Sequence, residues 1–370
     1  MNKMLIKPKK EEFLVKKRII ALLILTLLVS SALIGCGKAD SPSEDLGTDT
    51  PATDTPVTDG EGVKVGLVLA GGLGDRSFYD SSNEGVEKAK AELGIEAKVY
   101  ECRNDPSLYN DQMVQASQYA SIVAVVGHEF EDVVQEIAKE FPDVTYIYVD
   151  NEIEGIDNLI TISYAENEGS FLAGALGAML TSETSIEGID EAKVIGMVGG
   201  MDIPVIRNFK AGYEAGAQYV DPEVKVETIF AEDFEDPAKG KDSATVIYSN
   251  GAAIVFQVAG KTGEGVFEAA KELGKFAIGV DTDQRHINPD VIVASMVKEV
   301  GKSIYETIEN IQADKIEKGK VVRYGLAQDG VGMGYGTDDM TQFATDEMKA
   351  ELEDIKAKII SGEIQVPTGK

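Results

Sequence analysis

The sequence predicts an α/β protein built as two doubly wound, parallel-sheet lobes. Three observations carry this: an internal repeat, an alternation of buried strands with amphipathic helices, and glycine-rich loops where the strands end. KVGLVLAGG begins at Lys64 and KVIGMVGGMD at Lys193, 129 positions later; SIVAVVGHEFEDVVQEIAKEFPDVTYIYVD begins at Ser121 and AAIVFQVAGKTGEGVFEAAKELGKFAIGVD at Ala252, 131 positions later. Two matching segments at nearly one offset mean one architecture used twice.

Taken in chain order, residues 1–18 carry seven basic residues against Glu11 and Glu12, and an apolar run, IIALLILTLLVSSALIG, follows over 19–35. A basic flank before a short apolar core describes a secretory signal peptide. The competing reading is a membrane-spanning anchor, for which about 20 apolar residues are needed and this run is slightly short. It ends in Leu33-Ile34-Gly35-Cys36, which resembles the bacterial lipobox, so Cys36 is the expected lipidated first residue of the mature chain. Cys102 then has no disulfide partner, and the secreted chain must be held by its core. With 370 residues, 43% of them hydrophobic, it can build one.

Residues 36–62 follow as a lipidated tether. From Gly37 they read GKADSPSEDLGTDTPATDTPVTDGEG, aperiodic and without an aromatic residue, a composition that cannot bury enough apolar surface to order itself. The whole chain carries −29, and the first 35 residues hold seven of its 35 basic and two of its 64 acidic side chains, leaving −34. Phosphate backbones are repelled by such a surface, which excludes nucleic acid as a partner.

In the first copy strands are expected near 64–70, 97–102, 121–126, 144–149 and 159–163. In the second they fall near 193–198, 224–230, 252–258, 276–280 and 291–295. The helices between show three- and four-residue apolar spacing, as at Val133, Ile137, Ala138 and Phe141. Strands apolar on both faces with helical crossovers mean parallel sheets. Ligands in such sheets bind beyond the carboxyl ends of the strands, so two facing lobes form a cleft. The expected division is 63–163 with 285–321 for the N-terminal lobe and 164–284 with 322–370 for the C-terminal lobe. The chain would then cross three times, near Ser163, Arg285 and Val322.

The loop after the first strand, Gly72-Leu73-Gly74-Asp75-Arg76-Ser77, is a poor dinucleotide fingerprint. Ser replaces the third small residue, Glu101 lies too far on, and Asp75 would oppose a pyrophosphate at the helix start. His128 and His286 have no metal-ligand spacing, and neither a nucleophile elbow nor a phosphate-loop lysine is present. No cofactor, metal or catalytic set is expected, and His128 reads as a loop residue making a local hydrogen bond. A binding site for a neutral polar ligand is what the loops offer. Phe78, Phe130, Phe209 and Phe256 lie at strand-end loops where a ring could stack; Phe78 and Phe256 are preferred for their glycine-rich neighbours, and Phe209 reads as core beside Tyr213 and Ala217. Asp75, Asp150, Asp281 and Asp283 follow strands, where short carboxylates accept hydrogen bonds from vicinal hydroxyls. Lys261 can supply a donor at the opposite lip.

Together GDRSFYDSSNEG (74–85), ENEGSFLAGALGAML (166–180), VGGMDIPVIRNFKAGYEAGA (198–217), DFEDPAKGK (233–241), VFQVAGKTGEGVFEAAKE (255–272), AIGVDTDQ (277–284), VASMVK (293–298) and IISGEIQVP (359–367) resemble the basic membrane lipoprotein family. The resemblance covers nearly all of 64–368. It implies a type I periplasmic-binding-protein fold and the role of a purine-nucleoside receptor for an ABC importer. The expected partners are a nucleoside, the ABC permease subunits and the membrane through the lipid on Cys36, with the protein a monomer. Position by position, it implies that Phe78 and Phe256 sandwich the base, that Asp281 holds the ribose hydroxyls, that the backbone around Gly260 lines the sugar, and that Lys298 contacts the ribose; Asp75, Ser77, Asp150 and Lys261 complete the expected site. One departure stands out. Members of that family usually carry an Asp just after the first strand, in a V-T-D-x-G pattern, where this chain has Leu69-Ala70. Lys261 also stands where many have a second glycine. A different small polar ligand, or a sensor role without transport, remains the alternative.

Overall fold

A computed structural model describes residues 62–189 and 193–369. The leader, Cys36 and the tether to residue 61 lie outside the described residues. Among those described, no helix is long and apolar enough to cross a membrane.

The first sheet takes its strands from the first copy: β1 (Lys64–Leu69), β2 (Glu96–Glu101), β3 (Ile122–Val126), β4 (Thr145–Val149) and β5 (Leu159–Tyr164), joined by β11 (Val321–Tyr324), in the order β11-β5-β4-β3-β1-β2 and parallel throughout. The second is built from β6 (Val194–Gly199), β7 (Lys225–Phe230), β8 (Ile254–Val258), β9 (Phe276–Asp281), β10 (Ile292–Lys298) and β12 (Val331–Gly334), in the order β12-β10-β9-β8-β6-β7. Here only the edge strand β12 runs antiparallel to its neighbour. The strands form because they are unbroken β-branched and aromatic runs such as IVAVV and TYIYV, buried at every position.

Helices α1 (Phe78–Leu93), α2 (Pro106–Tyr119) and α3 (Glu131–Glu140) cross over in the first lobe. Their counterparts in the second are α5 (Pro204–Val220), α6 (Pro237–Ser249) and α7 (Gly263–Leu273). Three proline-started helices, α2, α5 and α6, use a ring whose missing N–H costs nothing in the first turn. α4 (Glu166–Leu180) is buried almost all round and packs on α5, while α8 (Val300–Gln312) packs on α1. Both helix pairs approach until backbones touch: a Cβ added at Gly216 of α5 would lie 1.9 Å from the Phe171 carbonyl oxygen of α4. The C-terminal helix α9 (Asp346–Ile360) also packs against α4.

The crossings differ from the expected ones at two points. β10 pairs with β9, so residues 285–298 belong to the second lobe, and the chain crosses back after Lys298 instead of near Arg285. The repeat explains this: β10 is the second copy's counterpart of β5, and each sheet keeps its fifth strand before the chain leaves it. Likewise β11 stays in the first sheet through Tyr324, so the last crossing follows that residue instead of Val322. Arg285 has a different task. Fully buried, its guanidinium donates to the carbonyls of Ile292, Tyr335, Pro289 and Thr341, stapling the 335–341 loop to the second sheet.

Candidate functional site

The carboxyl ends of the two sheets face each other across a cavity that opens to solvent. Its first-lobe wall comes from the loops after β1, β3 and β4, and its second-lobe wall from α5 and the loops or ends of β7, β8, β9 and β10.

After β1 the chain turns through Asp75, whose buried carboxylate accepts from the backbone N–H groups of Ser77 (3.1 Å), Tyr79 (2.9 Å) and Asp80 (3.0 Å). Asp75 therefore caps α1, and Ser77, at the N-cap position, is free to send its hydroxyl across the cleft, where it donates to Asp281. Burial pushes the Asp75 carboxyl up to about 7, against the three N–H bonds that favour its charged form. Phe78, the first residue of α1, lines the cavity.

Asp150 and Asp281 occupy equivalent ends of β4 and β9, 131 positions apart, and both hold positive φ, 66° and 64°. An Asp in the left-handed region costs on the order of 1 kcal/mol and turns its carboxylate off the strand, here into the cleft. Between them stands Lys298 at the end of β10, 2% exposed, with Nζ 2.5 and 2.6 Å from the two Asp150 carboxylate oxygens and 3.5 Å from Glu166 Oε1. Burial alone would lower its pKa, but Asp150, Glu166 and Asp281 outweigh it and hold the ammonium above its ordinary value. Burial raises Asp281, opposed by Lys298 and by the Ser77 hydroxyl, and raises Glu166 to about 7. Three carboxylates around one ammonium leave acceptor capacity to spare. The Lys298 Nζ also lies 5.1 Å from the Phe78 ring centroid and 5.6 Å from that of Phe209.

A second acidic group lies elsewhere in the cavity. Glu129, in the short 3-10 turn after β3, and Glu235, in the loop after β7, both act on the Tyr79 hydroxyl, which hydrogen-bonds the Gly71 backbone. Glu235 is matched by Lys261 at 3.7 Å, on the cavity lip. Near this group Phe234 and His128 face each other across the cleft, ring centroids 6.4 Å apart. Phe234 fits because Gly200 has no side chain; a Cβ there would stand 2.1 Å from its ring.

The lobes are joined at the cleft mouth. The Arg76 carbonyl accepts from Gln284 Nε2 at 3.0 Å and Thr282 Oγ1 at 3.2 Å, and Arg76 Nε lies 3.7 Å from Glu264.

Of the residues expected from sequence, Asp75, Phe78, Asp150, Gly260, Lys261, Asp281 and Lys298 line one cavity, and Ser77 lies fully buried behind Asp281. Phe256 does not. It is fully buried in β8, its ring 5.1 Å from Tyr213 and 6.3 Å from Phe209, because the side chain points from the sheet into the packed helices. Phe209, expected in the core, is nearly buried yet lines the cavity; Phe130 packs on Tyr109. Asp283 accepts from the Arg285 and Gly336 N–H groups and is no part of the wall. His128 makes a local contact, Nδ1 3.3 Å from Glu129 Oε2, and also faces the cavity. Phe234, Glu129 and Glu235 are additions. Their signal was their place directly after β3 or β7 in motifs already singled out. Among the described residues no group of three or more metal-ligating side chains is assembled.

Comparison with known proteins agrees with this arrangement. The model of the PnrA-like ABC transporter substrate-binding proteins matches residues 62–370. Basic membrane protein A of Borreliella burgdorferi is 33% identical, over 83% of this chain and 88% of its own length. The ABC transporter nucleoside-binding protein BmpA of Lactococcus lactis is 30% identical, over 96% of this chain and the whole of its own. Among solved structures, a solute-binding protein of an ABC transporter system from Aeropyrum pernix superposes with a TM-score of 0.74 at 25% identity, covering 82% of this chain and 94% of that one.

Proposed function

Because the chain belongs to the PnrA-like family of ABC transporter substrate-binding proteins, which bind solutes and are not enzymes, we propose that it captures a nucleoside, purine before pyrimidine, between its lobes and delivers it to an ABC importer. Cys36, lipidated, would anchor it as a monomer to the extracytoplasmic face of the membrane, with the tether holding the binding body clear of the lipid.

The observation that carries this reading is the order of groups in the cavity. Asp150, Asp281 and Lys298 gather where vicinal hydroxyls would be held by paired acceptors and an ammonium. Phe78 and Phe234 supply aromatic faces for a planar ring, and Glu129 and Glu235 lie where its polar edge would reach. Phe234 takes the role that the resemblance gave to Phe256. The contacts between Arg76 and Gln284 fit a receptor whose lobes close over the ligand, closure being the shape the importer would recognise.

Thermal unfolding of the full chain with nucleosides, free bases, sugars and amino acids tests the reading. A ligand at 100 times its Kd stabilises by about 2.7 kcal/mol, so a true ligand raises the midpoint by several degrees. Nucleosides should do so, and Asp281→Asn should abolish the shift. A shift produced by a sugar or amino acid and by no nucleoside would refute it.

A further inference from the structure

We propose that Glu129 sets the base specificity of this site, and that its carboxylate selects a guanine-type edge over an adenine-type one. The assignment rests on the nucleoside reading above and deepens it.

The resemblance puts a carboxylate just after β1, where this chain has Ala70. A carboxylate from the loop after the neighbouring strand β3 lies close to that position. Gly127, at the end of β3, has φ 129°, and a Cβ built on it would stand 2.5 Å from the Ala70 Cβ and 2.7 Å from Glu129 Oε2. The Glu129 oxygen and the Ala70 methyl are therefore no farther apart than the sum of those distances, within the reach of a carboxylate mounted on residue 70. Glycine at 127 keeps the passage between them open.

Glu129 Oε2 is buried and accepts no hydrogen bond, although His128 Nδ1 stands 3.3 Å away. A buried acceptor without a donor costs free energy unless a ligand supplies one. Glu235, the other carboxylate of this group, already has Lys261 and Asn104 as partners. Glu129 is the member left to read the ligand.

An ionised carboxylate only accepts. Guanine presents N1–H and the N2 amino group side by side, two donors that match its two oxygens. Hypoxanthine offers N1–H alone. Adenine sets one amino donor beside the N1 lone pair, which the second oxygen repels. Sites built around a buried polar group reject a ligand that leaves it unpaired.

The test is titration calorimetry of the full chain, stripped of bound ligand, with guanosine, inosine and adenosine. Guanosine should bind tightest and adenosine weakest, with about 10- to 100-fold between them, the range of one charged hydrogen bond. Glu129→Gln puts a donor beside an acceptor, the complement of adenine. It should weaken guanosine by about the same factor and leave adenosine unchanged or tighter, collapsing the ratio. Adenosine binding as tightly as guanosine in the unaltered protein, or Glu129→Gln weakening both equally, overturns the assignment while leaving the nucleoside reading intact. No response to any of the three overturns both. If Glu129→Gln does not fold, Glu129→Asp, which keeps the charge but draws it back by one methylene, takes its place, and an unchanged guanosine-to-adenosine ratio in that variant overturns the assignment.

Discussion

Replacing Lys298 by methionine removes the ammonium that Asp150, Glu166 and Asp281 share. Lys298 is 2% exposed, and its partners Glu166 and Asp281 are 4% and 7% exposed, so water cannot replace the lost charge. Breaking a buried ion pair from one side costs about 3–5 kcal/mol. The carboxylates can recover part of this by taking up protons. Burial already raises Glu166 to about 7 although Lys298 lowers it, so without the lysine it rises further. The folded variant then holds protons that the unfolded chain releases, and its stability falls as pH rises. Thermal unfolding by circular dichroism near pH 5, 6.5 and 8 reads this directly. The loss should grow with pH and reach on the order of 10 °C at the alkaline end. A midpoint within about 2 °C of the unaltered protein near pH 8, or a loss independent of pH, would refute the account of a coupled buried cluster.

The unaltered, ligand-free protein should show the same sign. Asp75 and Glu166 are both raised to about 7 by burial, so their stabilising contribution is complete below about pH 4 and is lost as pH climbs through 7; urea unfolding that showed stability rising from pH 5 to pH 8 would contradict this. Asp75, Glu129, Asp150, Glu235 and Asp281 line the cavity against Lys261 and Lys298, so a nucleoside monophosphate should bind at least about tenfold more weakly than its nucleoside, measured by competition. Gly216→Ala drives a methyl group into the Phe171 carbonyl at the α4–α5 crossing and should cost about 1–3 kcal/mol, seen as a lower denaturant midpoint with an unchanged slope.

Most strands are legible because buried parallel strands are dense apolar runs, and the repeat places the first five of each sheet to within three residues; β11 and β12, short and outside the repeat, are not anticipated. The same density hid which way a side chain points. Phe256 lies in IVFQV, buried at every position, with no polar alternation to mark the cavity face. Its glycine-rich neighbours predict a ligand-stacking ring, whereas the side chain packs in the core against Tyr213. Phe209 misled in the other direction: its helical spacing does match the core residues Tyr213 and Ala217, but it lies near the start of α5, which opens on the cavity. Phe234 and Glu129 sit in aperiodic loops, and only the fold brings them to one place. The acidic strand ends are legible for a physical reason. A charged residue closing a buried strand needs a partner, which singles out Asp150 and Asp281 from the residues alone, whereas Lys298 enters through the family resemblance and Asp283, also after a strand, turns to the Arg285 and Gly336 N–H groups instead of the cavity. A crossing near Arg285 falls one strand early, because the repeat carries through to a fifth strand in each copy and β10 pairs with β9 before the chain leaves the second sheet.

The claim on which the rest depends is that a nucleoside is the ligand of the interlobe cavity. Titration calorimetry of the chain, unfolded and refolded to remove any ligand carried from its host, measures it most directly. The account predicts one site per chain and a sub-micromolar Kd for a purine nucleoside, lost in Asp281→Asn. Tight binding of a sugar, amino acid or free base by the same preparation, with no heat from any nucleoside, would contradict it.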